Sequence, residues 1–382
     1  MHIHVCLVSE QPIPNILSIL HHKPDGVFLI STEEMEKRRM VENIVETLSL
    51  KNFDTSRVFE PVIVKEDSIT DCKMKIEERL RDFEDATFSV NITGGTKVMA
   101  ISAFEVLKDY AATVGYIPRG KNDYIIVFPK KKINTSEKID IRLSVTEYLT
   151  AYGLKVENVQ KLSEKRNTAL ARKELTSFIM KNYSELIPLL EKISQQLREH
   201  RHNKKGYNYE ITPNNPFERR MLELAQFEEK GSAFIKHLSR EEIEYLTGGW
   251  LEEYCFNELM PLEGLLIDDM VIGITISKGT IRNEFDVMFT SENALFTIEC
   301  KSLSSQHDPE VDILYKISAL QKNFGLRVGS FLVTTSPHVL GNDGQIKAHI
   351  KSRADDYKTE IIIKDDVPRI REIIESKIKG VS

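Results

Sequence analysis

Apolar runs and amphipathic segments alternate along the first 130 residues, and this alternation restricts the fold more than any other feature of the chain. Short apolar runs at 3–8, 26–30, 59–64 and 88–92 predict strands, and the segments between them have apolar residues at helical spacing. Repeated strand–helix–strand units form a largely parallel sheet with helices on both faces. We therefore predict an α/β unit with a doubly wound sheet over residues 1–140.

The pattern changes twice in the rest of the chain. Residues 141–246 carry apolar side chains at three- and four-residue spacing, which predicts a helical connector with a loop at 206–216. A winged-helix-like arrangement of this connector stays open. Residues 247–382 begin with a helix, followed by three strand-like stretches with hairpin-length turns and by further helices and strands. This order predicts a mixed α/β domain.

Composition and charge exclude several classes of protein. The net charge of −6 provides no protein-wide basic field, so contact with nucleic acid would need a local patch. The longest apolar runs are far shorter than the ~20 residues of a membrane span, and the first residues do not resemble a secretory signal. The four cysteines form no C-x-x-C pair, which argues against a zinc knuckle and a disulfide framework. We expect a cytoplasmic protein without membrane contact.

A Gly-Gly turn follows the fourth predicted strand. In a doubly wound sheet, ligands bind beyond the carboxyl ends of the strands where the winding reverses, which selects the loops 9–12 and 93–97 if the first strand is central. Residues 93–97 (Thr-Gly-Gly-Thr-Lys) offer backbone N–H groups, hydroxyls, a lysine and a helix N-terminus, all suited to an anion. The spacing matches neither the Walker motif nor the dinucleotide fingerprint, so an NTPase or a nicotinamide enzyme is not favoured.

Two acidic residues and a lysine occupy the predicted hairpin of the last third. Residues two apart in a strand share a face. The face opposite Asp286 is thereby predicted to hold three apolar residues, Phe285, Val287 and Phe289. A tight turn would bring Asp286 near Glu299, and adjacent carboxylates repel each other unless a cation neutralises them. Such ligands favour Mg²⁺ or Mn²⁺, and Lys301 is suited to orient water or stabilise phosphate charge, so the pattern is typical of phosphodiester hydrolysis.

Three segments of the last third resemble the PD-(D/E)xK nuclease superfamily. They are residues 248–253 (Gly-Gly-Trp-Leu-Glu-Glu), 283–286 (Asn-Glu-Phe-Asp) and 298–301 (Ile-Glu-Cys-Lys). The resemblance implies a restriction-endonuclease-like fold over residues 247–382. It also implies that Asp286 and Glu299 are metal ligands and that Lys301 is the catalytic lysine.

The same resemblance implies a glutamate ligand from the first helix. Glu252 fits the spacing of the superfamily better than its neighbour Glu253. Lys316, after the lysine strand, is a candidate phosphate contact, and Trp250 is expected to belong to the core. The sequence departs from the superfamily pattern where Asn and Glu precede the aspartate in place of proline, at a position that is loose in the superfamily.

The N-terminal loops resemble the CARF (CRISPR-associated Rossmann fold) domain. The resemblance rests on residues 91–97 (Asn-Ile-Thr-Gly-Gly-Thr-Lys) and on residues 9–11 (Ser-Glu-Gln) after the first strand. A Rossmann-like CARF domain, a helical middle and a PD-(D/E)xK domain follow one another, as in the ancillary nucleases of type III CRISPR systems. This implies a homodimer that binds a cyclic oligoadenylate, most often the tetra-adenylate, between its CARF halves. The implied pocket has phosphate contacts at Gly94, Gly95, Thr96 and Lys97 and is lined by Ser9, Gln11 and Thr93.

Together these patterns predict a nuclease of antiviral defence that is activated by cyclic oligoadenylate, depends on Mg²⁺ or Mn²⁺ and cleaves DNA or RNA. Two alternatives stay open: a ligand-responsive nucleic-acid-binding regulator with an inactive nuclease-like domain, and a restriction-type nuclease with a nucleotide-binding regulatory domain. The presence of Asp286, Glu299 and Lys301 favours an enzyme. Basic runs at 130–132 and 198–205 are either contacts to a phosphate backbone or solvated surface.

Overall fold

The structure is a computed structural model that describes residues 1–83, 85–110, 112–129, 135–302 and 324–381. The basic run at 130–132 and Lys316 lie outside these ranges. Within the described ranges, no helix combines the length and the apolar character that crossing a membrane would require.

Seven strands form the N-terminal sheet of the described residues. They are β1 (His2–Leu7), β2 (Gly26–Ser31), β3 (Val62–Ile63), β4 (Thr87–Asn91), β5 (Thr113–Tyr116), β6 (Asp123–Phe128) and β7 (Thr135–Lys138). Their order is β3-β2-β1-β4-β5-β6-β7; the strands from β3 to β5 are parallel, and β6 and β7 are antiparallel. The position of β1 between β2 and β4 confirms that the winding reverses beside the first strand.

Helices cover both faces of this sheet, which confirms the doubly wound prediction. They are α1 (Ile13–His22), α2 (Glu33–Lys37), α3 (Met40–Leu50), α4 (Ile69–Leu80) and α5 (Lys97–Leu107). Ile16 of α1 and Ile44 of α3 belong to one buried cluster, and Ile76 of α4 and Ala103 of α5 belong to another. The two helix pairs therefore pack on opposite faces.

The middle of the chain contains helices and a small antiparallel sheet. The helices are α6 (Val145–Ala151), α7 (Val159–Ala171), α8 (Lys173–Lys181), α9 (Tyr183–Leu197), α10 (Pro216–Leu224) and α11 (Arg240–Glu244). The strands are β8 (Lys155–Val156), β9 (Tyr207–Ile211), β10 (Glu228–Lys230) and β11 (Ala233–Leu238). The last three pair in the order β10-β11-β9. The loop predicted at 206–216 is therefore wrong over β9, where Tyr209 and Ile211 are buried and alternate with exposed polar residues.

The C-terminal sheet is mixed, as predicted. It contains β12 (Asp269–Lys278), β13 (Ile281–Ser291), β14 (Ala294–Lys301), β15 (Val328–Thr334) and β16 (Thr359–Ile363), and β8 extends its edge. Within residues 247–302 and 324–381, the helices are α12 (Trp250–Leu259), α13 (Ala348–Asp356) and α14 (Ile370–Val381). Pairing is antiparallel from β12 to β14 and parallel from β14 to β16. Trp250 is fully buried in the core, as the sequence predicts.

The strands β12 and β13 change faces midway along their length. Their antiparallel pairing is interrupted where Gly273 lies opposite Asp286, and Gly273 has a positive φ of 62°. Val287 packs in the core beneath α12, whereas Phe285 packs in the core shared with α6. The prediction that Phe285 shares a face with Val287 is therefore wrong. A glycine inside a strand is a signal of such an irregularity.

The turn of the β13–β14 hairpin is buried against the segment that follows the N-terminal sheet. Asn293 is fully buried with a left-handed φ of 58°. Its side-chain oxygen accepts a hydrogen bond from the Leu143 N–H (3.0 Å), and its amide donates to Asn122 Oδ1 (3.0 Å) and to the Ile141 carbonyl (2.9 Å). The hairpin is thereby attached to the N-terminal half of the chain at its turn.

We expect Asn293→Ala to lower the free energy of unfolding more than Asn52→Ala does. Both substitutions replace a left-handed asparagine, but Asn52 (φ 58°) is exposed, so the backbone cost cancels between them. The difference, about 1–3 kcal/mol, measures the buried groups that Asn293→Ala leaves without partners. Urea denaturation of the full chain checks it, and equal losses would show that the buried hydrogen bonds contribute nothing net.

Candidate nuclease site and ligand loop

The β13–β14 hairpin places Asp286 opposite Glu299. Val287 pairs with Ile298 in this antiparallel hairpin. One position further from the turn, Asp286 therefore lies across from Glu299. The backbone N–H of Cys300 donates a 2.6 Å hydrogen bond to Asp286 Oδ2, which fixes this carboxylate against the neighbouring strand. Glu299 is buried. The hairpin geometry inferred from the sequence therefore brings these side chains together.

Glu252 on α12 lies within electrostatic range of Asp286. Desolvation, and next the negative charge of Asp286, raise the pKa of Glu252 well above its usual range, while the positive charge of Lys301 acts in the opposite direction. These effects place the Glu252 carboxylate within electrostatic range of both side chains. The structure thus assembles Glu252, Asp286 and Lys301 at one end of the C-terminal sheet.

The adjacent Glu253 points to a different partner. Its Oε1 accepts a 2.9 Å hydrogen bond from Arg172, which lies between α7 and α8. Burial raises the pKa of Glu253 to about 7, and the charge of Arg172 acts in the opposite direction. The two neighbouring glutamates therefore diverge, one towards Asp286 and the other towards Arg172, which favours Glu252 as the helix carboxylate of the site.

A basic residue lies beside the start of α12. Arg201 belongs to the basic run at 198–205, and its Nε donates a 2.6 Å hydrogen bond to Thr247 Oγ1. Desolvation lowers the pKa of Arg201, whereas the negative charge of Glu252 raises it, so the guanidinium lies within range of the acidic cluster. Arg201 is half-buried, while Arg198 in the same run is exposed. The sequence marked the run but not the member that faces the site.

The Gly-Gly turn of the N-terminal sheet is pressed against β1. A Cβ at Gly94 would lie 2.1 Å from the carbonyl oxygen of Leu7 and 3.2 Å from Ser9 Oγ, so only glycine allows this approach. Gly95 follows with a left-handed φ of 69°. The two loops after β1 and β4 therefore lie side by side at the predicted switch point, with Ser9 facing the turn.

Asn91, at the end of β4, holds the start of this turn. Its Oδ1 accepts a 3.1 Å hydrogen bond from the Thr93 N–H, and its amide donates to Ser18 Oγ (3.1 Å) and Asn15 Oδ1 (3.0 Å). The Thr93 hydroxyl in turn accepts a 2.8 Å hydrogen bond from the Ile117 N–H. Asn91 is therefore a positioning residue that lies within the motif at residues 91–97 but was not among the predicted site residues.

Thr96 and Lys97 begin α5. The Thr96 hydroxyl accepts from the Met99 N–H (3.2 Å) as the helix cap and donates to the Glu66 carbonyl (2.7 Å), so this side chain is engaged within the protein. Lys97 is exposed on the first turn, where helical N–H groups point outwards. The backbone and Lys97, more than the Thr96 hydroxyl, are therefore available to an anion.

The loops at residues 9–12 and 93–97 together form the ligand loop, and Gln11 connects it with the C-terminal part of the chain. Its Oε1 accepts hydrogen bonds from the Tyr152 hydroxyl (3.0 Å) and from the Leu326 N–H (3.2 Å). Arg119 reaches the same segment, since its guanidinium donates to the Leu326 carbonyl at 3.2 Å. The structure thus turns the Gln11 amide towards the segment that precedes β15. No local pattern in the sequence indicated Tyr152 or Leu326.

Family models match both ends of the chain. The Card1 CARF domain matches residues 3–148, and the Card1-like endonuclease domain matches residues 239–381. The chain therefore combines a CARF domain of the Card1 type with a Card1-like endonuclease domain. This confirms the resemblances predicted from the Gly-Gly loop and from the acidic hairpin, and it gives the effector an endonuclease domain at its C-terminal end.

Solved structures share the fold of this effector along its whole length. Can2 from Sulfobacillus thermosulfidooxidans, in complex with cyclic tetra-adenylate, is 20% identical; the match covers 99% of each chain with a TM-score of 0.76. Protein VC1899 from Vibrio cholerae is 18% identical, with 100% of this chain and 99% of the other covered and a TM-score of 0.79. No curated protein sequence matches the chain.

We expect Glu253→Gln to reduce the loss of stability as the pH rises. The pKa of the Glu253 carboxyl is about 7 in the folded chain, against 4.5 for the same group in the unfolded chain. The folded state therefore holds the proton more tightly. Its stabilising effect is complete below about pH 4.5 and is lost as the pH rises to about 7, by up to about 3 kcal/mol. Urea denaturation across this range compares wild type with Glu253→Gln.

The exposed Glu241 on α11 supplies the control, because Glu241→Gln changes the same functional group outside the core. Its pH profile should follow that of the wild type. A profile of Glu253→Gln that also runs parallel to the wild type would contradict the assigned shift.

Proposed function

We propose that this protein is a nuclease of CRISPR antiviral defence that is activated by a cyclic oligoadenylate. The observation that carries the proposal is the joint presence of a Card1-type CARF domain and a Card1-like endonuclease domain in one chain. We assign ligand sensing to residues 1–140, connection to residues 141–246 and cleavage to residues 247–382. The complex of the similar Can2 with cyclic tetra-adenylate supports the tetra-adenylate as the activator.

The proposed catalytic centre consists of Glu252, Asp286, Glu299 and Lys301. Three carboxylates against one ammonium leave an excess of negative charge, and the raised pKa of Glu252 partly reflects repulsion from Asp286. A divalent cation relieves such repulsion, and all-oxygen donors suit Mg²⁺ or Mn²⁺. The ion would be held by Glu252, Asp286 and Glu299. When bound, it would stabilise the negative charge that develops on the scissile phosphate.

The side chains of the protein contribute positioning and positive charge. The Cys300 N–H holds the Asp286 carboxylate in place across the hairpin. Lys301, at the end of β14, would orient the attacking water and stabilise charge on the phosphate oxygens. Arg201, fixed by Thr247, would add a second positive charge for the phosphate backbone of the substrate.

The proposed activator site is formed by two copies of the ligand loop. The Gly94–Gly95 turn, the first turn of α5 and Lys97 would contact the phosphates, with Ser9 and Thr93 beside them. Three apolar side chains on α4 and on α5, the helix that follows the Gly-Gly turn, are about half exposed: Ile69 (47%), Met74 (55%) and Ile101 (58%). An exposed apolar surface here supports a symmetric dimer in which both loops face one ring.

Two connections would carry the ligand signal to the nuclease site. Gln11 joins the ligand loop to Tyr152 and Leu326. The buried turn around Asn293 joins the N-terminal half to the hairpin that carries Asp286. Activation requires that the ring bind the active arrangement more tightly than the inactive one, and these contacts are where the two arrangements would differ.

Cleavage of labelled single- and double-stranded DNA and RNA, with Mg²⁺ or Mn²⁺ and with or without cyclic tetra-adenylate, tests the proposal. We expect cleavage that needs both metal and ring, and a loss of at least about 100-fold in Asp286→Asn and Glu299→Gln. Glu253→Gln is the matched control, because this glutamate bonds Arg172 and should keep its activity. Light scattering of the same samples determines whether the chain is a dimer.

Two results would contradict parts of this assignment. Cleavage that needs Glu299 but does not depend on cyclic tetra-adenylate would support the nuclease assignment and contradict the proposed activator. Folded protein that binds nucleic acid and cleaves nothing under any of these conditions would favour a ligand-responsive regulator.

We expect Tyr152→Phe to weaken the coupling between the two sites. The substitution removes only the hydroxyl that donates to Gln11, a hydrogen bond worth about 1 kcal/mol, so the stimulation of cleavage by the ring should fall about fivefold. Tyr209→Phe is the control, because it removes a hydroxyl that likewise donates to a glutamine Oε1, that of Gln196 (2.6 Å), and not to the ligand loop. Equal stimulation in both variants would exclude Gln11 as a link.

A further inference from the structure

Four histidines cluster at the end of the N-terminal sheet that is remote from the ligand loop. His2 and His4 are on β1, and His21 and His22 end α1. The ring centroid of His22 lies 4.6 Å from that of His4, 5.1 Å from that of His21 and 6.3 Å from that of His2. None of these four histidines, out of ten in the chain, is a residue of the proposed nuclease site or of the ligand loop.

Three side chains of this region present ligand atoms to a common point. His21, His22 and Glu137 each offer one nitrogen or oxygen, and these atoms all lie within 4.8 Å of one another. His21 Nε2 is 3.0 Å from Glu137 Oε2. The Nε2 atom of His22 is buried and has no hydrogen-bond partner among the described residues. A buried ring nitrogen without a partner points to a ligand at this position.

The fold holds these side chains in place from two sides. Glu137 lies on the edge strand β7, directly across from Tyr124 on β6. The Tyr124 ring is fully buried and packs edge-on against His22 with centroids 4.6 Å apart. His4 is already satisfied, since its ring nitrogens bond Ser89 Oγ (2.6 Å) and Ser18 Oγ (3.0 Å). His4 therefore packs against His22 and is not a ligand.

We propose that His21, His22 and Glu137 bind a transition-metal ion of the Zn²⁺ class, at a site separate from the nuclease centre. Two imidazole nitrogens and one carboxylate oxygen are a common set of zinc ligands, with a water molecule in the fourth position. Mg²⁺ prefers oxygen ligands throughout, so the two sites differ in their metal preference. A bound ion would join the end of α1 to the edge strand β7 and stabilise the N-terminal sheet.

Zinc binding to the full-length, chelator-treated protein tests the site by titration calorimetry. We expect His21→Gln and His22→Gln to weaken zinc binding at least about tenfold, because each removes a ligand. Asp286→Asn should keep this binding, since it changes only the nuclease centre. His349→Gln is the matched control, because His349 is an exposed histidine on α13. An excess of Mg²⁺ should not displace the zinc.

Thermal unfolding provides a second measurement that does not depend on nuclease activity. Zn²⁺ should raise the melting temperature of the wild type and of His349→Gln but not that of His22→Gln. If His22→Gln does not fold, Glu137→Gln replaces it, because Glu137 is partly exposed on the edge strand. Zinc binding that survives in His22→Gln and Glu137→Gln but disappears in Asp286→Asn would overturn the proposal, as would a folded wild type that binds no zinc.

Discussion

The buried hydrogen bonds of Asn293 attach the β13–β14 hairpin to the N-terminal half of the chain, and both the fold and the candidate site depend on this attachment. The turn cannot leave its position without exposing or orphaning several polar groups. The same hairpin carries Asp286 and Glu299 at its other end. Under the proposed function, a displacement of the N-terminal half at the turn would be transmitted along the two paired strands to the acidic cluster.

Charge organises the acidic end of the hairpin. Glu252 and Glu253 are neighbours in α12, yet one faces Asp286 and the other bonds Arg172. The helix therefore separates a glutamate suited to a cation from a glutamate that completes the core. The interruption of pairing at Gly273 lies beside Asp286, so the strand changes faces where the carboxylate is needed. On either side of Asp286, Val287 and Phe285 pack in different cores.

The ligand loop shows how tightly a Gly-Gly turn is specified. Gly94 is required because the turn lies against the Leu7 carbonyl, and Asn91 fixes Thr93 from a buried polar network that reaches Ser18 and His4. A network of this kind limits the positions that the turn can adopt. Buried side chains thus fix the Gly-Gly turn on its inner side, while Lys97 is exposed to solvent on the first turn of α5.

The sequence by itself determined the doubly wound sheet, the mixed C-terminal sheet and the proximity of Asp286 to Glu299. These follow from apolar periodicity and from a tight hairpin, which involve residues close together in the chain. Only the tertiary structure decided that Glu253 bonds Arg172, that Gln11 meets Leu326, and that His21 and His22 approach Glu137. Each of these contacts depends on how separate elements pack, and no local pattern encodes the side of an element that a distant residue will reach.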